Sequence, residues 1–573
     1  MATRIRTVDV FLRYLKAEKV DCVFGIVGGL LYPLFDAVEL DPSMTLIMTK
    51  HEQGAAFMAD GYARVGRRLG VCAGTSGPGA TNLMTGVACA FADGVPLLVI
   101  TGQAATHALG KGAAQEMARE DIDIVAMFRP VTKYSAMVTH AQAMPHHVRR
   151  ALRAALTGRP GPVHLNVPVD LWEQELPATD WFRPESYRPE THTFDRHAVQ
   201  RTSELLLAAK NPVFLVGSGV AIANAETHVL ELASLVGARV ATTPKAKGVF
   251  PEDHPLSLGV LGNAGHREAR ELVLGDTIDV LFTVGASLSE TSTFNWSPRL
   301  APSQALVQLD IDADRIGRNY PVDVSLVGDA QTILVELLYH VHRGIREGGE
   351  PAAQWDRWAP LTRGHARYDS PEQRTSAQRP LTPQRWRVEL QASLPSNAVV
   401  FSDIGGHMLF NIHDLCIGQG QRFIINMGFG SMGHGLLAPI GAAMSGYPGT
   451  MVAIAGDGCF TMHGLDLLTA VDHSTKVIWI IENNNMHGIT WHCSRLLSGR
   501  PLEAARARSS IEVASIARAM GVQAHVVDAP DQLRPAFESA LRHSGPSVIE
   551  VRVDPEVPPP LGERAKSLAG FIK

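Results

Sequence analysis

Three times along this chain a short apolar run breaks into glycines, gives way to a helical pattern and returns to an apolar run. Residues 71–102 read "VCAGTSGPGATNLMTGVACAFADGVPLLVITG", residues 212–243 read "PVFLVGSGVAIANAETHVLELASLVGARVATT", and residues 451–484 read "MVAIAGDGCFTMHGLDLLTAVDHSTKVIWIIENN". Strand, glycine turn, helix and strand in that order are the signature of a parallel sheet with crossover helices. The pattern predicts three doubly wound α/β domains, each with a crevice at the carboxyl ends of its strands. Two proline-punctuated stretches without helical or strand periodicity, residues 171–195 and 344–383, read as linkers between them. The expected domains are residues 1–172, 195–343 and 380–555, followed by a C-terminal arm over 556–573.

The chain has 573 residues, of which 45% are hydrophobic and 19% charged, an ordinary globular composition. With 52 basic and 57 acidic side chains the net charge is −5, which asks for neither nucleic acid nor an anionic membrane surface. The six cysteines are scattered without a C-x-x-C pair and read as reduced thiols of a cytoplasmic protein. The first twenty residues read as an amphipathic helix, not a signal peptide. The apolar runs are too short to span a bilayer.

In the third repeat, Gly456, Asp457 and Gly458 end the strand candidate 451–455, and a helical pattern is expected from Thr461. Backbone amides at such a turn hold anions, and the glycines admit a phosphate. A carboxylate beside a phosphate needs a cation between them, and Mg²⁺ accepts carboxylate, amide and phosphate oxygens together. The next strand candidate, 477–482, ends at Asn483 and Asn484, which brings amide oxygens to the same edge. Taken alone the triplet reads first as a plain turn, and the asparagine pair brings metal binding level with that reading. In the first repeat, "TKHEQGAAFMADGYAR" (residues 49–64) places Glu52 at a helix start, where helix-dipole stabilisation is the plain explanation. "GTSGPGATN" (residues 74–82) is a second loop that lets backbone approach a ligand.

Together with "VFGIVGG" (23–29), "AAQE" (113–116), "GPVHLNVPVD" (161–170), "KGVFPEDHPLSLGVLG" (247–262) and "GSMGHG" (430–435), these motifs occur in the order found in the thiamine diphosphate enzymes. The chain most closely resembles the acetolactate synthase-like branch. That resemblance implies an N-terminal domain for the aminopyrimidine and a C-terminal domain for the diphosphate with Mg²⁺. The two would come from different subunits, so a homodimer is the minimum and a homotetramer is expected.

By the resemblance, Glu52 matches the glutamate that hydrogen-bonds the pyrimidine ring and activates the cofactor. Gln115, and with it His107, would meet substrate. Val27, Thr75 and Asn82 would line the pyrimidine half. Ile404, Gly405, Gly406 and His407, Ser431 and Met432, and Gly456, Asp457 and Gly458 would line the rest, with Asn484, Met486, His487 and Gly488. Met432 matches the bulky residue under the bent cofactor. Asp457, Asn484 and the carbonyl of Met486 match the metal ligands. Gly28, Ala114, Gln115, Lys133 and Trp491 are substrate-pocket candidates, and His434 is a further pocket candidate with no clear counterpart.

The chain also departs from the family pattern. Ala114 stands where a phenylalanine usually precedes the glutamine, Val27 replaces a proline, and Trp491 falls two positions early. "THALG" keeps only His107 of the decarboxylases' histidine pair. In the central domain, residues 285–296 ("GASLSETSTFNW") lack the arginine and paired acids of the flavin-binding members, which argues against FAD. The resemblance thus implies a carboligase that decarboxylates a 2-oxo acid, pyruvate in the first instance, and passes the fragment to a carbonyl acceptor. The alternatives are a non-ligating decarboxylase or lyase, a flavin-dependent oxidase, and a non-catalytic homologue.

Overall fold

The computed structural model describes residues 4–118, 122–177, 182–189, 193–348 and 367–561. After a short strand β1 (Arg4–Arg6), the first sheet contains β2 (Cys22–Gly25), β3 (Thr45–Met48), β4 (Gly70–Gly74), β5 (Leu97–Gln103), β6 (Ser135–Met137) and β7 (Val163–Pro168). They lie in the order β3-β2-β4-β5-β7-β6, all parallel. Strand β8 (Glu175–Pro177) turns back to pair with β1, antiparallel. Sequence periodicity had assigned this stretch to a linker. Three residues are too few for alternation to register, so only the pairing reveals the strand.

The second sheet holds β9 (Val213–Val216), β10 (Arg239–Thr242), β11 (Ser257–Val260), β12 (Val280–Val284), β13 (Ala305–Asp310) and β14 (Val324–Val327). Its order is β11-β10-β9-β12-β13-β14. The third holds β15 (Ala398–Ser402), β16 (Arg422–Ile425), β17 (Thr450–Gly456), β18 (Ile478–Asn483), β19 (Gln523–Val527) and β20 (Ser547–Arg552), in the order β16-β15-β17-β18-β20-β19. Numbered within their own domains, the first and third sheets share one strand order, 2-1-3-4-6-5. The central sheet has 3-2-1-4-5-6, with its switch point between β9 and β12. All three are parallel; their inner strands are buried on both faces and read in sequence as largely apolar runs, as parallel sheets do, while the edge strands β3, β14 and β19 keep exposed residues. The expected amphipathic N-terminal helix spans Thr7–Ala17. A helix extends through Arg346 into the second expected linker, of which residues 349–366 lie outside the described residues. So does the expected C-terminal arm beyond Leu561.

The first and third domains share one apolar core, which includes Phe57, Met58, Leu436, Ala438 and Trp479. Its centre is the crossing of helix Glu52–Gly66 with helix His434–Met444. The approach is close because glycine faces backbone on both sides. A Cβ on Gly61 would overlap the Ala438 carbonyl, and one on Gly441 would overlap the Met58 carbonyl. Beside this crossing runs a chain of buried charge. Asp60 accepts from Arg64 and from His434 Nε2, Arg64 also donates to Asp93, and Lys245 of the central domain closes onto Asp93. Burial pushes the Asp60 carboxyl up, but Arg64 and His434 outweigh it and hold it at about 2.

Gly61→Ala and Gly441→Ala should each destabilise the fold by about 1–3 kcal/mol through overpacking, read as a lower melting temperature. Gly29→Ala, where a Cβ meets open space, should not. Because Asp60 titrates below its ordinary 3.8, its contribution is complete above that value and drains away as pH falls through about 2. Asp60→Asn should therefore cost about 3 kcal/mol at neutral pH. It should cost progressively less towards the bottom of that window, and a loss independent of pH would refute the ionised assignment.

Candidate active site

In the N-terminal domain, β3 runs into a turn whose His51 caps the helix that Glu52 begins, Nδ1 accepting from the Gln53 N–H at 3.1 Å. Glu52 is buried and accepts from Asn82 Nδ2 at 2.9 Å. Its other oxygen lies 3.2 Å from the Cβ position of Gly79. A larger residue at 79 would therefore press on the carboxylate. Thr75, on the same loop, packs against Gly28 and Gly79, and its Oγ1 is buried without a hydrogen-bond partner. Gln115 joins this loop: its carbonyl accepts from Ser76 Oγ at 2.5 Å, and its side chain lies against Gly77. Its backbone is left-handed (φ 59°), an uncommon state for glutamine that marks a constrained turn. Ala114 beside it is exposed, as is Val27, at 44%. Val27, Gly28, Glu52, Thr75, Asn82 and Gln115 thus share one edge of the first sheet.

Two candidates are placed differently. Lys133 Nζ donates to the carbonyls of Thr157 (2.9 Å) and Arg159 (2.7 Å). It fastens the turn that borders a cavity of about 430 Å³ against the central domain, so it is a strut and not a pocket wall. His107 is exposed on the turn Thr106–Ala108, which Thr106 anchors to Asp170. Among the described residues no hydrogen bond joins His107 to Glu52, Asn82 or Gln115.

In the C-terminal domain, β15, β17 and β18 are neighbours and parallel. Each is followed by a helix that starts at their carboxyl edge: Gly406–Asp414, Asp457–His463 and Gly488–Ser498. The second helix begins at Asp457, four residues before the sequence pattern suggests, because Gly456 serves as its extended N-cap and Gly458 is taken into its first turn. Helix N-termini present free N–H groups and a positive dipole end to this edge. The His407 ring packs against Gly405 and Gly456, and its Nε2 is buried without a partner. Burial, with Arg387 adding, pushes its imidazole down to about 3, so it stays neutral. Ser431 and Met432 are half-buried, and Met432 Cε comes within 3.3 Å of the Cβ position of Gly458. His487 Cε1 approaches the same position at 3.1 Å.

Burial pushes the Asp457 carboxyl up to about 7; the N–H groups of Asp457, Gly458 and Asn484 oppose this, and nearby Glu482 adds to it. Asn484 accepts from the Met486 N–H at 3.1 Å and lies against Gly488. The two asparagines part company at the strand end: Asn483 is the last residue of β18 and Asn484 lies beyond it. Asn483 Nδ2 donates to Ile511 O and Glu550, away from Asp457, and is a strut. Met486 is buried with Trp491 and Ala505. Arg506 lies over the Trp491 ring at 5.1 Å, and the indole N–H is buried without a partner. Among the described residues no group of three His, Cys, Asp or Glu side chains is arranged for a metal. The oxygens gathered at this edge are one carboxylate, one amide and backbone carbonyls.

Three acids escaped the sequence reading. Asp403 is buried and accepts from the N–H groups of Ile404 (2.7 Å), Gly433 (2.9 and 3.0 Å) and Leu436 (3.1 Å); burial pushes it up to about 6. Asp466 accepts from the N–H groups of Lys50 (2.9 Å) and His51 (3.1 Å), just ahead of Glu52. Glu482 holds Trp386 Nε1 (2.9 Å) and Arg387 (2.8 Å). Asp403 could have been suspected as an acid at a strand end; the others declare themselves only through contacts 95 to 416 residues away.

Comparison with known proteins agrees with this layout. The thiamine pyrophosphate enzyme N-terminal TPP binding domain matches residues 5–127, the central domain 199–337 and the C-terminal TPP binding domain 403–551. The probable acetolactate synthase large subunit of Methanocaldococcus jannaschii is 32% identical over 96% of this chain and 92% of its own length. Acetolactate synthase of Arthrospira platensis is 32% identical, over 94% and 92%. The isozyme 3 large subunit of Escherichia coli is 31% identical, over 95% and 94%. The chain belongs to the thiamine pyrophosphate enzymes, in the acetolactate synthase-like family.

Proposed function

We propose that this protein is a carboligase that decarboxylates a 2-oxo acid, pyruvate in the first instance, and transfers the two-carbon fragment to an acceptor carbonyl. The observation that carries the reading is the pairing of two half-sites. One is a buried glutamate held by Asn82 beside a glycine loop; the other is a buried aspartate and an amide where three helix N-termini meet. When bound, thiamine pyrophosphate supplies the nucleophilic carbon and the electron sink for loss of carbon dioxide.

The residues present fit that group. Thr75 Oγ1 and His407 Nε2 are buried polar atoms without partners inside the two glycine loops, which suits a polar ligand. Glu52 holds the pyrimidine, and Asn82 keeps its carboxylate aimed. Val27, Gly28 and Thr75 border the ring, and Met432 supports the cofactor from the C-terminal side. Ile404, Gly405, Gly406, His407, Ser431, Gly456 and Gly458 receive the diphosphate, with His487 and Gly488. Mg²⁺ is held by Asp457, Asn484 and the Met486 carbonyl; a carboxyl otherwise pushed to about 7 by burial is one that a cation returns to its ionised form. Gln115 faces the substrate, and the small Ala114 leaves room for an acceptor larger than a second pyruvate.

Exposed apolar side chains close in sequence to these segments, Tyr32, Phe429, Met462 and Leu465, support assembly as a homodimer at least. A homotetramer and a cytoplasmic location complete the reading; no described helix is long and apolar enough to cross a membrane. The central crevice is not assigned a flavin, since residues 285–296 carry no arginine.

Glu52→Gln should retain cofactor affinity while slowing hydrogen–deuterium exchange at thiazolium C2 roughly 10²–10⁴-fold; undiminished exchange would overturn its role. Incubated with pyruvate and a panel of aldehydes and 2-oxo acids, the protein should yield 2-hydroxy ketone products from the aldehydes and 2-hydroxy-3-oxo acid products from the 2-oxo acids, identified by mass spectrometry. Acetaldehyde as the sole product would favour the non-ligating decarboxylase.

A further inference from the structure

The turn that carries Met432 is gripped from two domains. On one side Asp403, at the end of the third domain's β15, accepts the Gly433 N–H with both oxygens and the Leu436 N–H at 3.1 Å. On the other side His434, two residues after Met432 and first in its helix, reaches Asp60 in the N-terminal domain. Its Nε2 lies 2.6 Å from Asp60 Oδ1. An ionised carboxylate only accepts, so the imidazole donates. Asp60 lies about two turns along the helix that Glu52 begins.

The His434 ring is 1% exposed and stands edge-on to Phe57, centroids 5.5 Å apart. Its Nδ1 is buried with no hydrogen-bond partner among the described residues. If space-filling were its task, a phenyl ring would fill the same volume beside Phe57 without leaving a buried nitrogen unsatisfied. What the imidazole adds is the bond to Asp60. Arg64 shares that carboxylate, Asp403 holds the turn's N–H groups, and His463 stands edge-on to Phe57 and against Gly433. Gly433, left-handed at φ 96°, lets the chain turn between the two anchors.

We propose that His434 is a positioning residue: by tying the Glu52 helix to the turn bearing Met432, it sets where Met432 stands beneath the cofactor. The proposal rests on the reading of Glu52 and Met432 given above. Without the tie, the turn keeps the Asp403 anchor and the His463 ring against Gly433 but loses its link to the Glu52 helix, and Met432 is held less closely against Gly458. Misplacement of a positioning group by an ångström is costly in rate even when no reacting atom is removed.

The test uses the full-length protein with Mg²⁺ and thiamine pyrophosphate. His434→Phe keeps the ring and removes the donor; His434→Gln keeps a donor. The phenylalanine variant should assemble normally, bind the cofactor roughly ten-fold more weakly by tryptophan-fluorescence titration, and exchange the C2 proton roughly ten-fold more slowly. The glutamine variant should recover most of both. Wild-type affinity and exchange in the phenylalanine variant would overturn the proposal, as would equal loss in the phenylalanine and glutamine variants, which indicates packing alone. If the phenylalanine variant does not fold, His434→Asn, too short to reach Asp60, takes its place with the same expectations. Glu52→Gln, run alongside, separates the two levels. Wild-type exchange there removes the underlying site reading, whereas slow exchange there with an unaffected His434→Phe removes only this inference.

Discussion

The contact on which the rest of the structure depends is the crossing of helix Glu52–Gly66 with helix His434–Met444. Two glycines, Gly61 and Gly441, each lie against the other helix's backbone. That approach leaves no room for side chains and makes a single core out of two domains. Both helices begin at functional segments, one with Glu52 and the other just after Met432. Close-packed interiors transmit displacement rather than absorb it, so the geometry of each half-site is tied to this crossing.

Buried carboxyls around the crossing show how one chemical group serves several ends. Asp60, faced by Arg64 and His434, stays ionised near 2 and acts as an electrostatic pin. Asp403 is satisfied by backbone N–H groups, yet burial still raises it to about 6; its work is to hold a turn. Asp457 is raised to about 7 at an edge where N–H groups gather and a second acid, Glu482, stands near. It is the carboxyl whose surroundings ask for a cation. Asp466 is raised too, by burial, while it caps the two residues before Glu52. Environment, not residue type, separates the struts from the proposed ligand.

The shared strand order of the first and third sheets gives this arrangement its shape. Each places a glycine-rich turn at a carboxyl edge, where α/β sheets bind ligands. The N-terminal edge offers a glutamate and an amide, and the C-terminal edge offers helix N-termini and oxygen donors. A cofactor with an organic base at one end and a diphosphate at the other matches that division. The central sheet has a different order and its own crevice of about 430 Å³, and none of the proposed cofactor ligands lies in it.

Much of this was legible in the chain. Apolar runs ending in glycine announce parallel strands and their turns, because the rule behind them is local: a strand buried on both faces must be apolar, and a ligand-cradling turn must lack side chains. Asp457 and Asn484 could be picked out for the same reason, and Glu52 by the family resemblance. Four things could not be read. Asn483 and Asn484 look alike in sequence, and only the end of β18, with Asn483 last in the strand and Asn484 beyond it, parts them. Lys133 reads as an entrance residue until two carbonyls near residue 158 claim it. The β1–β8 pair is too short to carry a period, and Asp403, Asp466 and the Asp60–His434 tie involve partners 30 to 415 residues away. The sequence by itself thus determined the sheets, the turns and the kinds of donor at each edge. Which donors face one another was decided only by tertiary structure, since a hydrogen bond or an ion pair depends on distance in space, and that distance has no local trace in the order of residues.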